Sequence, residues 1–175
     1  DLDAVIRATA RQGPVVLVGH SMGGMTIMAL AEQRPELFRD RVRAVALVNT
    51  SAGEIAAEGL SKRWLSPRNP ITNGIGLVAG WQPALVERVR HTGGRLTWNI
   101  VRTLSFGNRS VSPSMVNLVD EMLAGTTVDV VFDFVETLSS HDRKAALAGL
   151  RHCDVLVIGG QADRVIPFEH SEVIS

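Results

Sequence analysis

The sequence has one cysteine, Cys153, in 175 residues. A single thiol closes no internal disulfide and builds no cysteine-based zinc cluster, so neither staple holds this chain together. An excess of one charge is also missing: 18 Lys and Arg balance 18 Asp and Glu. Proteins that grip nucleic acid through its phosphates are normally basic, so that class is disfavoured. No run of about 18 apolar residues occurs, and no transmembrane helix is expected. Internal repeats and low-complexity tracts are absent. So are the G-x-G-x-x-G and Walker phosphate-loop patterns. What the chain does have is 45% hydrophobic and 21% charged residues, the balance of a folded globular protein. Its length argues for one domain, at roughly 150 residues each, able to bury about 70% of the unfolded surface.

Leu2, Val5, Ile6 and Thr9 fall at helical spacing, and Gly13-Pro14 breaks that helix. Val15-Val16-Leu17-Val18 is a continuous apolar run rich in β-branched residues. Such a run predicts a strand buried on both faces, as in a parallel sheet. Gly19 to Gly24 reads as a turn, Met25 to Gln33 as a helix stopped by Pro35, and Val42 to Val48 as a second buried strand. Strand, helix and strand in succession form a βαβ unit with a right-handed crossover. Val155 to Ile158 is a third such strand, closed by Gly159-Gly160.

Between the second and third strands, 53–140 contains no comparable run. Pro113 to Ala124 is amphipathic, with Met115, Leu118, Val119, Met122 and Leu123 on one face. Val128, Val131, Phe132, Val135 and Leu138 repeat the pattern, and Asn73-Gly74, Gly76, Gly80 and Gly93-Gly94 punctuate the middle. The segment is expected to be a helical insertion on a core formed by 1–52 and 141–175. Ser140 is a candidate N-cap for a last helix, His141 to Leu150. The chain begins at Asp1 in one apparent helix and ends at Ser175 in another, as a piece of a longer protein would.

The chemistry-bearing motif is Gly19-His20-Ser21-Met22-Gly23-Gly24, a G-x-S-x-G sequence. Three fixed positions alone are a weak signal. Here a buried strand runs into them and a helix follows, which is the context that a nucleophile requires. A sharp turn there strains the serine backbone and exposes its hydroxyl. Side chains at Gly19 and Gly23 are expected to collide with the turn, and Gly24 to let the helix close on the sheet. The Met22 N–H, at a helix N-terminus, suits a developing oxyanion. The competing reading is a Gly-rich turn around a buried serine.

Together with Val155-Leu156-Val157-Ile158-Gly159-Gly160-Gln161-Ala162-Asp163-Arg164-Val165-Ile166-Pro167, this block resembles the α/β-hydrolase superfamily. The resemblance implies an α/β fold, part of a doubly wound, mostly parallel sheet, with 53–140 as a helical cap over the serine. It implies Ser21 as nucleophile and Asp163, in the family's G-x-x-D-x-x-x-P context, as the acid that orients a histidine. The competing role for Asp163 is a turn or N-cap aspartate.

That histidine should follow the acid. His20 adjoins the serine but points elsewhere, and His91 and His141 precede the acid. His152 reads as a loop residue. His170 follows Asp163 but falls on the helix after Pro167, where a further helix and strand should intervene. The catalytic histidine is therefore expected to lie outside these residues, as is the second oxyanion donor. The implied activity is cleavage of a carboxylic ester of a lipophilic or small organic substrate through an acyl-enzyme, without metal or organic cofactor. Carbon–carbon bond hydrolysis, thioester hydrolysis, perhydrolase chemistry and a non-catalytic receptor share the same motif. The apolar cap favours an apolar group, with Met115 and Met122 able to line a permissive pocket. Cys153 reads as a small buried hydrophobe, and one reduced cysteine is compatible with the cytoplasm.

Overall fold

The computed structural model describes residues 1–55, 98–99, 102–103, 106–108, 110–126, 130, 134, 137–138 and 140–175. His91, the glycines between Asn73-Gly74 and Gly93-Gly94, and Val128, Val131, Phe132 and Val135 lie outside them, as do the readings placed on them. The chain packs as two units. The first comprises 1–54, 141–161 and 166–175; the second comprises 55–140 and 162–165.

In the first unit, helix α1 (Leu2–Thr9) leads through Gly13, at φ 82, into strand β1 (Val15–His20). Helix α2 runs from Met22 to Gln33, three residues earlier than the pattern predicted. Pro35 ends α2 but also opens a short helix that the sequence reading lacked, α3 (Pro35–Asp40). A proline suits a first helical position because no N–H is needed there. Strand β2 (Val42–Val48) follows, then strand β3 (Asp154–Ile158) and helix α5 (Glu169–Ile174). The three strands are parallel in the order β1-β2-β3, with Val18 opposite Ala46 and Ala46 opposite Leu156.

One face of this sheet carries the core. Leu17, Val45 and Leu47 pack with Ile27, Met28, Leu30 and Ala31 of α2 and with Phe38 of α3. The other face is open: Val16, Val18, Leu156 and Ile158 are 47–72% exposed. The strands are thus not buried on both faces as predicted. A continuous apolar run fixes what each face is made of. Coverage depends on which helices pack there, and those of this unit join the core on the Leu17 side.

The last helix also differs from expectation. Residues 141–142 do not start it, because they pair with the chain that leaves β2. Gly53 and Asp142 form an antiparallel bridge, and the Arg143 amide donates to the Ala52 carbonyl at 2.6 Å. His141 Nε2 donates to the Ser51 carbonyl at 3.0 Å, and Lys144 meets Glu54 at 2.7 Å. A 3₁₀ helix then spans Lys144–His152, with the Asp142 carboxylate accepting the Lys144 amide at 3.2 Å. Ser140 does not cap it; its hydroxyl donates to the Thr137 carbonyl.

In the second unit, helix α4 (Pro113–Ala124) has the predicted bounds, capped by the Ser112 side chain on the Ser114 amide at 3.3 Å. Its roll is not the predicted one. Met115, Leu118, Met122 and Leu123 are exposed, whereas Val116 is fully buried. The Trp98 indole N–H donates to Asn117 Oδ1 at 2.7 Å.

Two outcomes test this packing. Phe38→Ala empties a fully buried position and should cost about 3–5 kcal/mol in urea unfolding. Burial pushes the His141 pKa below its ordinary value of 6.5, with the Ser51 carbonyl opposing. The unfolded chain then takes up the proton first. The stability from His141 is present above about pH 6.5 and is lost as pH falls through the lower folded value. His141→Gln keeps an N–H for Ser51 and should flatten the decline in unfolding midpoint between about pH 7 and about pH 5.

Candidate active site

β1 ends at His20 and α2 begins at Met22, leaving Ser21 alone between them at φ 52, ψ −119. A side chain pays on the order of 1–3 kcal/mol for such a backbone, so its surroundings must hold it. They do so from both sides. The Ser21 amide donates to the Val48 carbonyl at 2.9 Å. The Ser21 carbonyl accepts from the Gly24 amide at 3.0 Å, the Met25 amide at 3.4 Å and the Thr50 hydroxyl at 2.7 Å. With the backbone satisfied, the half-buried Ser21 hydroxyl has no hydrogen-bond partner among the described residues. Met22, 41% exposed, stands in the first turn of α2, where amides lack intrahelical acceptors.

The glycines divide. A Cβ on Gly19 would stand 2.5 Å from the Gly24 nitrogen and 2.6 Å from Gly23 backbone atoms. A Cβ on Gly24 would meet Thr50 side-chain atoms from 2.6 Å. These contacts let α2 close on the strand ends. Gly23, expected to be equally constrained, has open space around it. The helix turns that position outward, away from β1.

Sequence reasoning missed Thr50 and Asn49. Thr50 is 1% exposed and touches the turn twice, through its hydroxyl on Ser21 and its packing on Gly24. Asn49, at φ 43, donates its amide to the Ile158 carbonyl at 2.8 Å; its side-chain oxygen accepts the Gly160 amide at 2.9 Å. The only hint was the Asn49-Thr50-Ser51 run closing a buried strand.

Ser21, Met22, Gly19 and Gly24 come together in the first unit, whereas Asp163 belongs to the second. The half-buried Asp163 accepts the Val165 amide on Oδ1 at 2.9 Å, a local turn bond. Of the histidines, His20 and His152 are exposed and His141 is held by Ser51. His170 is on α5, as expected, and is 8% exposed. Its Nδ1 lies 2.9 Å from Ser51 Oγ. Since the Ser51 hydroxyl donates to the Gly53 carbonyl at 2.6 Å, the His170 Nδ1–H is the donor. None of these four rings bonds to Ser21. Cys153 is half-buried; burial raises its thiol pKa, and its Sγ–H donates to the Leu150 carbonyl. No cluster of three metal-ligating side chains occurs among the described residues, and no helix among them is long and apolar enough to cross a membrane.

The family model for the α/β-hydrolase fold matches residues 1–175. The chain belongs to the α/β-hydrolase fold family. Among solved structures it is similar to a bromoperoxidase from Bacillus anthracis, with a TM-score of 0.65 and 20% sequence identity. That match covers 99% of this chain and 58% of the bromoperoxidase chain. At this identity the likeness shows the fold. Comparison with curated proteins gives no significant match.

The turn of this α/β-hydrolase fold predicts a graded glycine series. Gly19→Ala and Gly24→Ala should each cost about 1–3 kcal/mol through backbone and Thr50 collisions. Gly23→Ala should be neutral or stabilising by up to about 1 kcal/mol, since alanine suits a helix better. Denaturant unfolding of the three variants checks the order.

Proposed function

We propose that the chain carries the nucleophile of a serine hydrolase that cleaves a carboxylic ester of a small organic substrate. One observation carries this reading. Ser21 is held at φ 52 between a strand and a helix, its backbone bonded and its hydroxyl uncommitted. That backbone presents the oxygen at the mouth of a helix N-terminus. In the proposed mechanism Ser21 Oγ attacks the ester carbonyl. The Met22 amide stabilises the oxyanion, and α2 adds its positive end. A histidine oriented by Asp163 takes the serine proton and returns it to the departing alcohol. Water then releases the acyl group. None of the four described histidines bonds to Ser21. The family match over the whole chain supports hydrolase chemistry, and the ester is the simplest substrate for such a serine.

The test is labelling with a fluorophosphonate, followed by peptide mapping. An adduct on the Ser21 peptide of the native protein, absent in Ser21→Ala, is the expected result. A folded native protein that takes no label would overturn the nucleophile assignment and leave a small-molecule receptor as the better reading.

A further inference from the structure

Residues of α1 and α3, both in the first unit, line a surface cavity of about 290 Å³. Sites for drug-sized ligands start at about 300 Å³, so this one suits a smaller molecule. Ile6 and Leu37, both buried, give it an apolar wall. Among the described residues, the others that line it are all charged.

These charges divide into a closed set and an open pair. Arg34 donates through Nε to Glu36 at 2.5 Å and through Nη1 to Asp3 at 2.7 Å. Arg7 meets the same Asp3 oxygen at 2.9 Å. The Arg7 bond, with Arg34 beside it, holds the Asp3 carboxyl below its ordinary pKa, and the Arg34 bond does the same for Glu36. Two cations and two anions thus answer one another. Asp40 and Arg41 are different. They are neighbours in sequence and both line the cavity, yet no ion pair joins them. Among the described residues the exposed Asp40 carboxylate has no hydrogen bond or ion pair. Arg41 donates through Nε to the Gly13 carbonyl at 3.0 Å and through Nη2 to the Ala10 carbonyl. Two backbone contacts therefore pin its guanidinium without neutralising it, and Nη1 has no acceptor among the described residues.

We propose that this cavity binds a free aliphatic α-amino acid, its ammonium on Asp40, its carboxylate on Arg41 and its side chain on Ile6 and Leu37. A zwitterion carries both charges on one short frame, so it can answer both protein groups at once. A ligand with a single charge satisfies one group and leaves the other to water. A guanidinium already pinned by backbone bonds loses little freedom on binding, and its bond to a carboxylate is charge-assisted. This inference does not depend on the role of Ser21.

Isothermal titration calorimetry of the native protein tests it with three ligands. These are L-leucine, isocaproate, which lacks the ammonium, and isopentylamine, which lacks the carboxylate. Leucine should bind at one site with a dissociation constant of about 1 mM or below, unchanged in Ser21→Ala. Each analogue should bind at least about tenfold more weakly. Asp40→Asn, at an exposed position, should weaken leucine about tenfold with an unaltered circular dichroism spectrum. Arg41→Lys should weaken it too, because the charge remains without the pinned fork. No saturation by leucine up to about 10 mM would overturn the proposal. So would an analogue that binds as tightly as leucine, leucine affinity unaltered in either charge variant, or binding lost in Ser21→Ala.

Discussion

The close approach of β1 to the first turn of α2 is the constraint on which the rest of the first unit depends. It is a backbone-to-backbone approach, with Gly19 so near Gly23 and Gly24 that no side chain fits. A chain can turn from strand to helix in one residue only if that residue leaves ordinary φ/ψ space, and Ser21 does so at φ 52. The helix then starts at once and runs back over the sheet. Its apolar residues Ile27, Met28, Leu30 and Ala31 meet Leu17, Val45 and Leu47, burying the face that stabilises the fold. Strain at one residue is thus offset by burial along a whole helix. At about 1.5–3 kcal/mol for each large apolar side chain, a few buried contacts exceed the cost of the turn.

Much of this was legible in the sequence because the signals were local. β-Branched runs marked all three strands, and Gly13-Pro14 and Pro35 marked breaks. The Gly19–Gly24 block marked the turn, and the amphipathic pattern from Pro113 to Ala124 gave α4 its bounds. What was not legible depended on partners distant in the chain. On α4, Val116 is buried rather than the face of Met115, Leu118, Met122 and Leu123, and periodicity alone does not say which side meets a neighbour. The open sheet face looks the same in sequence as the covered one. Asp142 reads as part of a helix, but Gly53, distant in the chain, pairs with it. Gly23 looked like Gly19 because both flank the serine at equal spacing. Only the helix geometry shows that one points at backbone and the other at open space.

Composition does not say which apolar side chains of a segment turn inward. Val, Leu, Met and Phe are numerous in 53–140, and an apolar pocket was the expectation. Yet the methionines offered for it, Met115 and Met122, are exposed. Val116, on the same helix, is fully buried. Apolar residues are numerous because they fill space, and which of them turn inward is set by the helix's place in the unit.

The tip of β2 shows how one short polar segment can organise a site without touching the reaction. Asn49 leaves the strand at φ 43 and bonds both ways to the end of β3 and to Gly160. Thr50 turns back to hold the Ser21 carbonyl. Ser51, fully buried, closes the turn to Gly53 with its hydroxyl, receives His170 from α5 on the same oxygen, and takes His141 on its carbonyl. Three consecutive residues therefore serve the serine turn, the end of β3 and the stretch around the Gly53–Asp142 bridge. Buried polar groups cost stability unless they are paired, and the side chains of these three residues each make at least one hydrogen bond. That demand makes the segment stiff. Because Thr50 and Asn49 draw on different strands, a shift of β3 against β2 would strain Asn49 before it reached Ser21. Among the described residues the Ser21 hydroxyl has no partner, while its amide and carbonyl are both bonded.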